Sequence, residues 1–374
     1  MHRLAAVIFL MTVSTVAADP PGVIIDTSPD PARVYIGSPS LAVLPDGDYV
    51  ASHDFFGPGT GLDKSVVFGS GDRGKTWRKL AELDGQWWST LFVHKGYLYI
   101  IGTSRAEGSI VIRRSRDGGK AWTAPKDKSS GLLRDDAKYH CAPVPLLRYN
   151  DRLWRAFELV EGGRERWSAL VISVPLEADL LKADNWLLSE PLQHLWSASQ
   201  WIEGNVLITP DGKLVNILRS NLKPAKSGQG TNRAAIVNIS DDGRKLTHER
   251  DKDSIDFPGG EYKFTIRFDP KTKRYWSLVN QRLDSNTQRN ILALSSSADL
   301  RNWKVESFLL RHADSQNHAW QYVDWLFDGD DIIAVSRTAW DGSHNFHDAN
   351  FMTFHRFKNF RTMTMADSPP YLGR

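Results

Sequence analysis

The stretch Ser70-Gly71-Asp72-Arg73-Gly74-Lys75-Thr76-Trp77 decides the fold, because it recurs. Ser115-Arg116-Asp117-Gly118-Gly119-Lys120-Ala121-Trp122 is a second copy of the pattern S-x-D-x-G-x-T-W. Ser297-Ala298-Asp299-Leu300-Arg301-Asn302-Trp303 is one residue shorter and lacks the glycine, and Ser240-Asp241-Asp242-Gly243-Arg244-Lys245-Leu246 has leucine for tryptophan. Ser and Asp side chains bond nearby backbone and hold a tight turn, and Gly accepts positive φ. The Trp then folds back to bury its ring between neighbouring sheets. Four copies, each after a β-rich run, are the mark of a repeat architecture.

Outward from the octets the chain reads as hairpins. Tyr35 to Leu44, the turn Pro45-Asp46-Gly47-Asp48 and Tyr49 to His53 make one hairpin, followed by a strand at Ser65 to Phe68 and another after Trp77. Similar hairpins turn at Lys95-Gly96, Asn150-Asp151, Asp211-Gly212, Asp269-Pro270 and Asp328-Gly329. Four antiparallel strands per unit of about 40–45 residues predict an all-β chain folded as a β-propeller. Six blades are countable, and a seventh assembled from the two ends of the chain leaves no turn signal and stays open. Insertions are expected at 105–108, 126–139, 188–201, 223–232 and 284–290, and loops on one face of a rigid scaffold usually carry function.

With 41% hydrophobic and 24% charged residues and a net charge of +3, the composition is that of a globular protein. Charges of both signs are interspersed, which points to neither a nucleic-acid nor a membrane partner. Residues 1–18 read as a secretion signal: a weakly basic start at His2 and Arg3, an apolar run from Leu4 to Val16, and small residues through Ala18. The run is too short for a membrane span. The expected product is one domain over 19–374, secreted or periplasmic after cleavage near Ala18, and monomeric. Cys141 is the single cysteine, so no internal disulfide forms, and its apolar setting predicts a buried thiol.

The octets are Asp boxes, and with the hairpin pattern the chain resembles the sialidase superfamily of propellers over nearly all of its mature length. That group includes hydrolases, lyases and binding proteins, so the resemblance implies fold more than activity. Sialidases carry Arg-Ile-Pro in the first inner strand, and that arginine grips the substrate carboxylate. Gly37-Ser38-Pro39 stands in its place here, with Arg33 four residues away. One member of the expected arginine triad is thus missing. The run Val50-Ala51-Ser52-His53-Asp54-Phe55-Phe56-Gly57 resembles instead the propellers that cleave rhamnosyl–glucuronate linkages, whose required strand histidine maps to His53. Tyr139-His140-Cys141 is more loosely similar to the histidine segment of ulvan lyases. Those families have seven blades.

Elimination from a uronate needs a base, a cation for the carboxylate and an acid for the leaving oxygen. His53 and His140 suit the proton transfers near neutral pH, and Tyr262 serves where a cation lowers its pKa. Gln86 and Trp88 offer an amide and a stacking platform. In Phe257 to Arg267, alternation places Lys263 and Arg267 on one strand face, where they can share an anion. Arg219 and Arg337 end strands of the fourth and sixth units, as carboxylate-binding arginines would. His347 is expected to order a loop or touch substrate. No metal motif or cofactor signature is present. The expectation is a carbohydrate-active enzyme cleaving at an acidic polysaccharide or oligosaccharide through His53. A sialidase-like hydrolase, a glycan-binding propeller and a protein scaffold are the alternatives.

Overall fold

A computed structural model of the chain describes residues 18–163, 166–193, 201–220, 232–283 and 288–373. Residues 1–17 of the expected secretion signal (1–18) and parts of the insertions at 188–201, 223–232 and 284–290 lie outside them. Six small antiparallel sheets form the ring. Blade 1 spans 35–84, blade 2 87–134, blade 3 139–193, blade 4 201–256 and blade 5 265–311. Blade 6 takes its inner three strands from Ala319–Asp328, Asp331–Ala339 and Phe351–Phe357. Its outermost strand is Val23–Thr27, near the other end of the chain, which pairs antiparallel with Phe351–Phe357. These two segments therefore complete the sixth blade, and the described residues form no seventh.

Period-two alternation buries both faces of the middle strands, and each seam between blades has its own apolar cluster. Ile36, Leu41 and Phe68 meet Ile333, Val335 and Met352 where blade 6 joins blade 1, and Ile217 and Ile236 meet Phe264 and Ile291 between blades 4 and 5. The octets work as their residues suggest. Ser70 Oγ accepts from Gly74 N at 2.8 Å, and one Asp72 oxygen takes the Lys75 and Thr76 amides at 3.0 and 2.9 Å. Trp77 Nε1 donates to Gly74 O at 3.2 Å, and its ring packs into the seam with blade 6. Burial of such a ring contributes about 2–3 kcal/mol. The copy at Ser115–Trp122 repeats the bonds, and at Ser297–Trp303 the missing glycine is replaced by Leu300 at φ 66°. All the octets turn the chain at the end where the first hairpins turn. The opposite end is left to the strand termini and the longer loops.

Candidate active site

Three blades share one irregularity at that opposite end. In blades 2, 4 and 6 the innermost strand gains one residue relative to its partner, between Trp87 and Thr90, Ile202 and Asn205, and Gln321 and Asp324. The residue at the same place in each bulge has left-handed backbone: Trp88 (φ 47°), Glu203 (φ 60°) and Tyr322 (φ 55°). None is glycine, so each costs about 1–2 kcal/mol, which the flanking ladders must hold. The bulges turn all three side chains into a single cavity of about 350 Å³.

In that cavity the Tyr322 hydroxyl donates to Glu203 Oε1 at 2.7 Å, and Arg219 Nη1 bonds Glu203 Oε2 at 2.9 Å. Burial alone raises a carboxyl pKa. Here Arg219, His140 and Tyr322 outweigh it and bring Glu203 down to about 2. Tyr322 moves the other way: burial and then the Glu203 charge raise its phenol, against the arginines. The resting pair is an ionised carboxylate and a protonated phenol.

Asp54 faces the pair's cavity from blade 1. Its Oδ1 accepts Ser38 N and its Oδ2 accepts Trp88 N, both at 2.7 Å. The Trp88 bulge thus supplies one of the two amides. Burial dominates over these bonds and over His53 and Arg337, and lifts the Asp54 carboxyl to about 6. A β-carbon on Gly37 would lie 1.6 Å from Asp54 Oδ1. The glycine that occupies the expected arginine position is therefore the residue that makes room for this acid.

The third arginine arrives from another blade. Arg219, Arg289 and Arg337 all line the cavity. The Gln321 amide oxygen accepts from both Arg289 Nη1 and Arg337 Nη2, the latter at 2.9 Å. Its Nε2 is fixed by the carbonyls of Phe346 and His347, at 2.5 and 3.2 Å. Arg337 also lies 4.4 Å over the Tyr322 ring and 4.8 Å over Phe56. Burial, with Arg289 beside it, lowers Arg337 to about 10, and burial lowers Arg289 as well. Both guanidiniums remain charged at neutral pH, crowded together over a neutral amide. Among the described residues neither has a carboxylate within ion-pair distance, so the pair can accept an anion.

Of the residues picked out in the sequence, Trp88, His140, Arg219, Arg337 and His347 line the cavity. His140 Nδ1 is 2.6 Å from Glu158 Oε2, and its ring meets Trp88 and Trp167 at 4.2 and 4.8 Å. Glu158 Oε1 accepts the Glu203 amide at 2.7 Å, so one carboxylate holds both the histidine and the Glu203 bulge. His347 bonds Asp348 at 2.8 Å, and burial together with Arg337 and Arg289 holds its pKa below the usual range.

The other five do not reach the cavity. His53 occupies the opposite face of its strand from Asp54, with a fully buried side chain bonded to Asp26 Oδ2 (2.9 Å) and Asp54 O (3.0 Å) and stacked on Phe68. It fastens blade 1 to the ring-closing strand. Gln86 is buried against Ser89 and Arg113. Tyr262 lies behind Arg289, whose guanidinium is 5.0 Å from its ring. Lys263 and Arg267 share no anion-binding site: Lys263 is buried behind Tyr322, and Arg267 pairs with Asp324 at 3.2 Å. Arg267 lines a larger cavity, about 680 Å³, at the other end of the ring. That cavity is mostly apolar, with Leu207, Phe268 and Tyr275 in its wall and no carboxylate, so it offers no acid–base pair. Asp54, Glu203, Arg289 and Tyr322 were not singled out from the sequence. Among the described residues no cluster of His, Cys, Asp and Glu has metal-site geometry.

No protein-family model matches the chain, and no curated protein does. Solved structures do resemble it. An α-L-arabinanase of Penicillium chrysogenum is 15% identical over 91% of this chain and 98% of its own, with a TM-score of 0.58. A Hadza microbial sialidase is 15% identical over 88% of this chain and 66% of its own, with a TM-score of 0.60. The α-L-arabinofuranosidase Arb93A of Fusarium graminearum is 13% identical over 90% and 97%, with a TM-score of 0.59. At these identities the likeness is one of fold.

Proposed function

We propose that the cavity is the active site of a glycoside hydrolase that cleaves next to a carboxylated sugar at the end of an acidic glycan. The observation that carries this reading is the 2.7 Å contact between Tyr322 and Glu203 in a cavity where three guanidiniums converge. Arg289 and Arg337 bind the sugar carboxylate, and Arg219 fixes Glu203. Tyr322 attacks the anomeric carbon as the bond to the leaving oxygen breaks, its proton passes to Glu203, and Asp54 protonates the departing oxygen. Water then displaces Tyr322, with Asp54 as base, and Glu203 returns the proton. A neutral phenol suits this task because a carboxylate nucleophile would be repelled by the substrate's own charge. Trp88 and Trp167 supply apolar ring faces for the sugar.

This reading takes the place of elimination through His53, whose ring is walled off from the cavity. The apolar leader supports a site of action outside the cytoplasm. The test uses fluorogenic aryl glycosides of sialic, glucuronic and galacturonic acids, followed by a fluorinated analogue of whichever sugar is released. The expected results are turnover without an unsaturated uronate and a covalent label on the Tyr322 peptide. Formation of an unsaturated product, or turnover that survives Tyr322→Phe, overturns it.

A further inference from the structure

Among the described residues one lysine, Lys263, is buried, and it lies behind the cavity. Lys263 is 3% exposed and does not line the cavity. Its Nζ donates to Thr265 Oγ1 at 2.6 Å, Val323 O at 2.8 Å and Tyr322 O at 3.4 Å. An ammonium has three donors, and all three are used. Two of the acceptors are the carbonyls of the residues that form the blade 6 bulge. Thr265 Oγ1 adds a bond to Val323 O at 3.0 Å, and Trp325 Nε1 returns one to Thr265 O at 3.0 Å.

The same short segment holds the other half of the pair. Asn205, which closes the blade 4 bulge, donates to Glu203 O at 3.4 Å and Phe264 O at 3.3 Å, and accepts Ile266 N at 3.0 Å. Residues 263–266, which lead into and open the first strand of blade 5, thus lie between blades 4 and 6 and are bonded to both bulges. Tyr322 and Glu203 come from different blades, and their 2.7 Å contact depends on how those blades are spaced.

We propose that Lys263 is a positioning residue of the proposed reaction: its ammonium clamps the Tyr322–Val323 bulge, so that its charge state governs how Tyr322 is aimed at the anomeric carbon. The inference rests on the hydrolase reading for its kinetic arm only. The charged groups around Lys263 are Asp324 of blade 6, Glu203 of blade 4 and Arg267 of blade 5. Burial lowers its pKa to about 8 against the pull of Asp324 and Glu203. Above that pH the clamp loses a donor and its charge. Global stability responds in the opposite sense, because between about 8 and the ordinary 10.5 the unfolded chain binds the proton and the folded one does not, so this group favours folding as pH rises.

The test is kcat/KM on a glycoside whose aryl leaving group needs no protonation, which removes the Asp54 limb from the profile. The wild type should lose activity above about pH 8 with no drop in melting temperature. Lys263→Met should lower kcat about 100-fold, leave KM within about twofold, and have no limb near pH 8. Thr265→Val, which takes one acceptor from the ammonium, should move the limb to lower pH. Hydrogen exchange of residues 320–326 should be faster in Lys263→Met than in the wild type. A limb at pH 8 that persists in Lys263→Met overturns the proposal, as does unchanged exchange. If the wild type cleaves no acidic glycoside, the hydrolase reading fails by itself, and the exchange measurement alone decides the clamp.

Discussion

Gly37 packs its α-carbon so close to Asp54 that a methyl group cannot enter without displacing the carboxylate. Gly37→Ala should therefore lower stability by about 1–3 kcal/mol, seen as a lower melting temperature, and lower kcat/KM on top of that. Asp54 also sets the pH response. With Glu203 at about 2 and Asp54 at about 6, kcat/KM for a substrate with a poor leaving group should be level between these values and fall above about 6. Asp54→Asn should lose about 10²–10⁴ in rate on such substrates and much less on activated aryl glycosides. The raised Asp54 pKa has a cost in stability: the contribution is fully present below 3.8 and is lost as pH rises to about 6. Its size is on the order of 3 kcal/mol, measurable as the difference in the pH dependence of melting between wild type and Asp54→Ala. His53 and Asp54 are neighbours in sequence, yet only Asp54 lines the cavity. Neighbours on a strand face opposite ways, so a one-residue choice selects the wrong side of the sheet.

Bulges explain most of what the sequence hid. Arg219 and Arg337 were legible because each lies near the end of a strand whose hairpin turn is visible. Glu203 and Tyr322 sit inside the apolar runs Trp201–Ile208 and Ala319–Asp328, where period-two reading assigns every residue to a face and leaves no place for an extra one. A signal was available in register: Trp88, Glu203 and Tyr322 stand at similar distances before the turns at Gly96, Gly212 and Gly329. Arg289 falls in an expected insertion, where no periodicity applies. The octets, by contrast, were legible because their bonds are local. They also lie at the far end of the ring from the cavity, so they can be weakened without touching chemistry. Ser115→Ala leaves the buried Gly119 N–H without its 2.8 Å partner and should cost about 1–3 kcal/mol. Its kcat and KM should match the wild type, as a melt and a progress curve would show.

Six sheets around an axis were readable from repeat spacing, but their number was not fixed by it, because the joint between the ends of the chain has no turn of its own. The joint is a pairing of Val23 with Phe354, reinforced where His53 bonds Asp26. Its position has a bearing on timing. Asp54 lies on one side of it, in blade 1, while Tyr322 and Arg337 lie on the other, in blade 6. A chain emerging from its N-terminus holds its first strand in waiting until nearly every other residue has appeared, and contacts this distant in sequence form slowly. Asp54 and Tyr322 are thus among the last groups to be brought together. In refolding from denaturant, glycosidase activity should return only with the slowest phase, after most of the β-sheet circular dichroism has recovered. A half-made molecule then holds the Glu203–Arg219 pair of blade 4 but not the cavity wall that Asp54, Tyr322 and Arg337 complete.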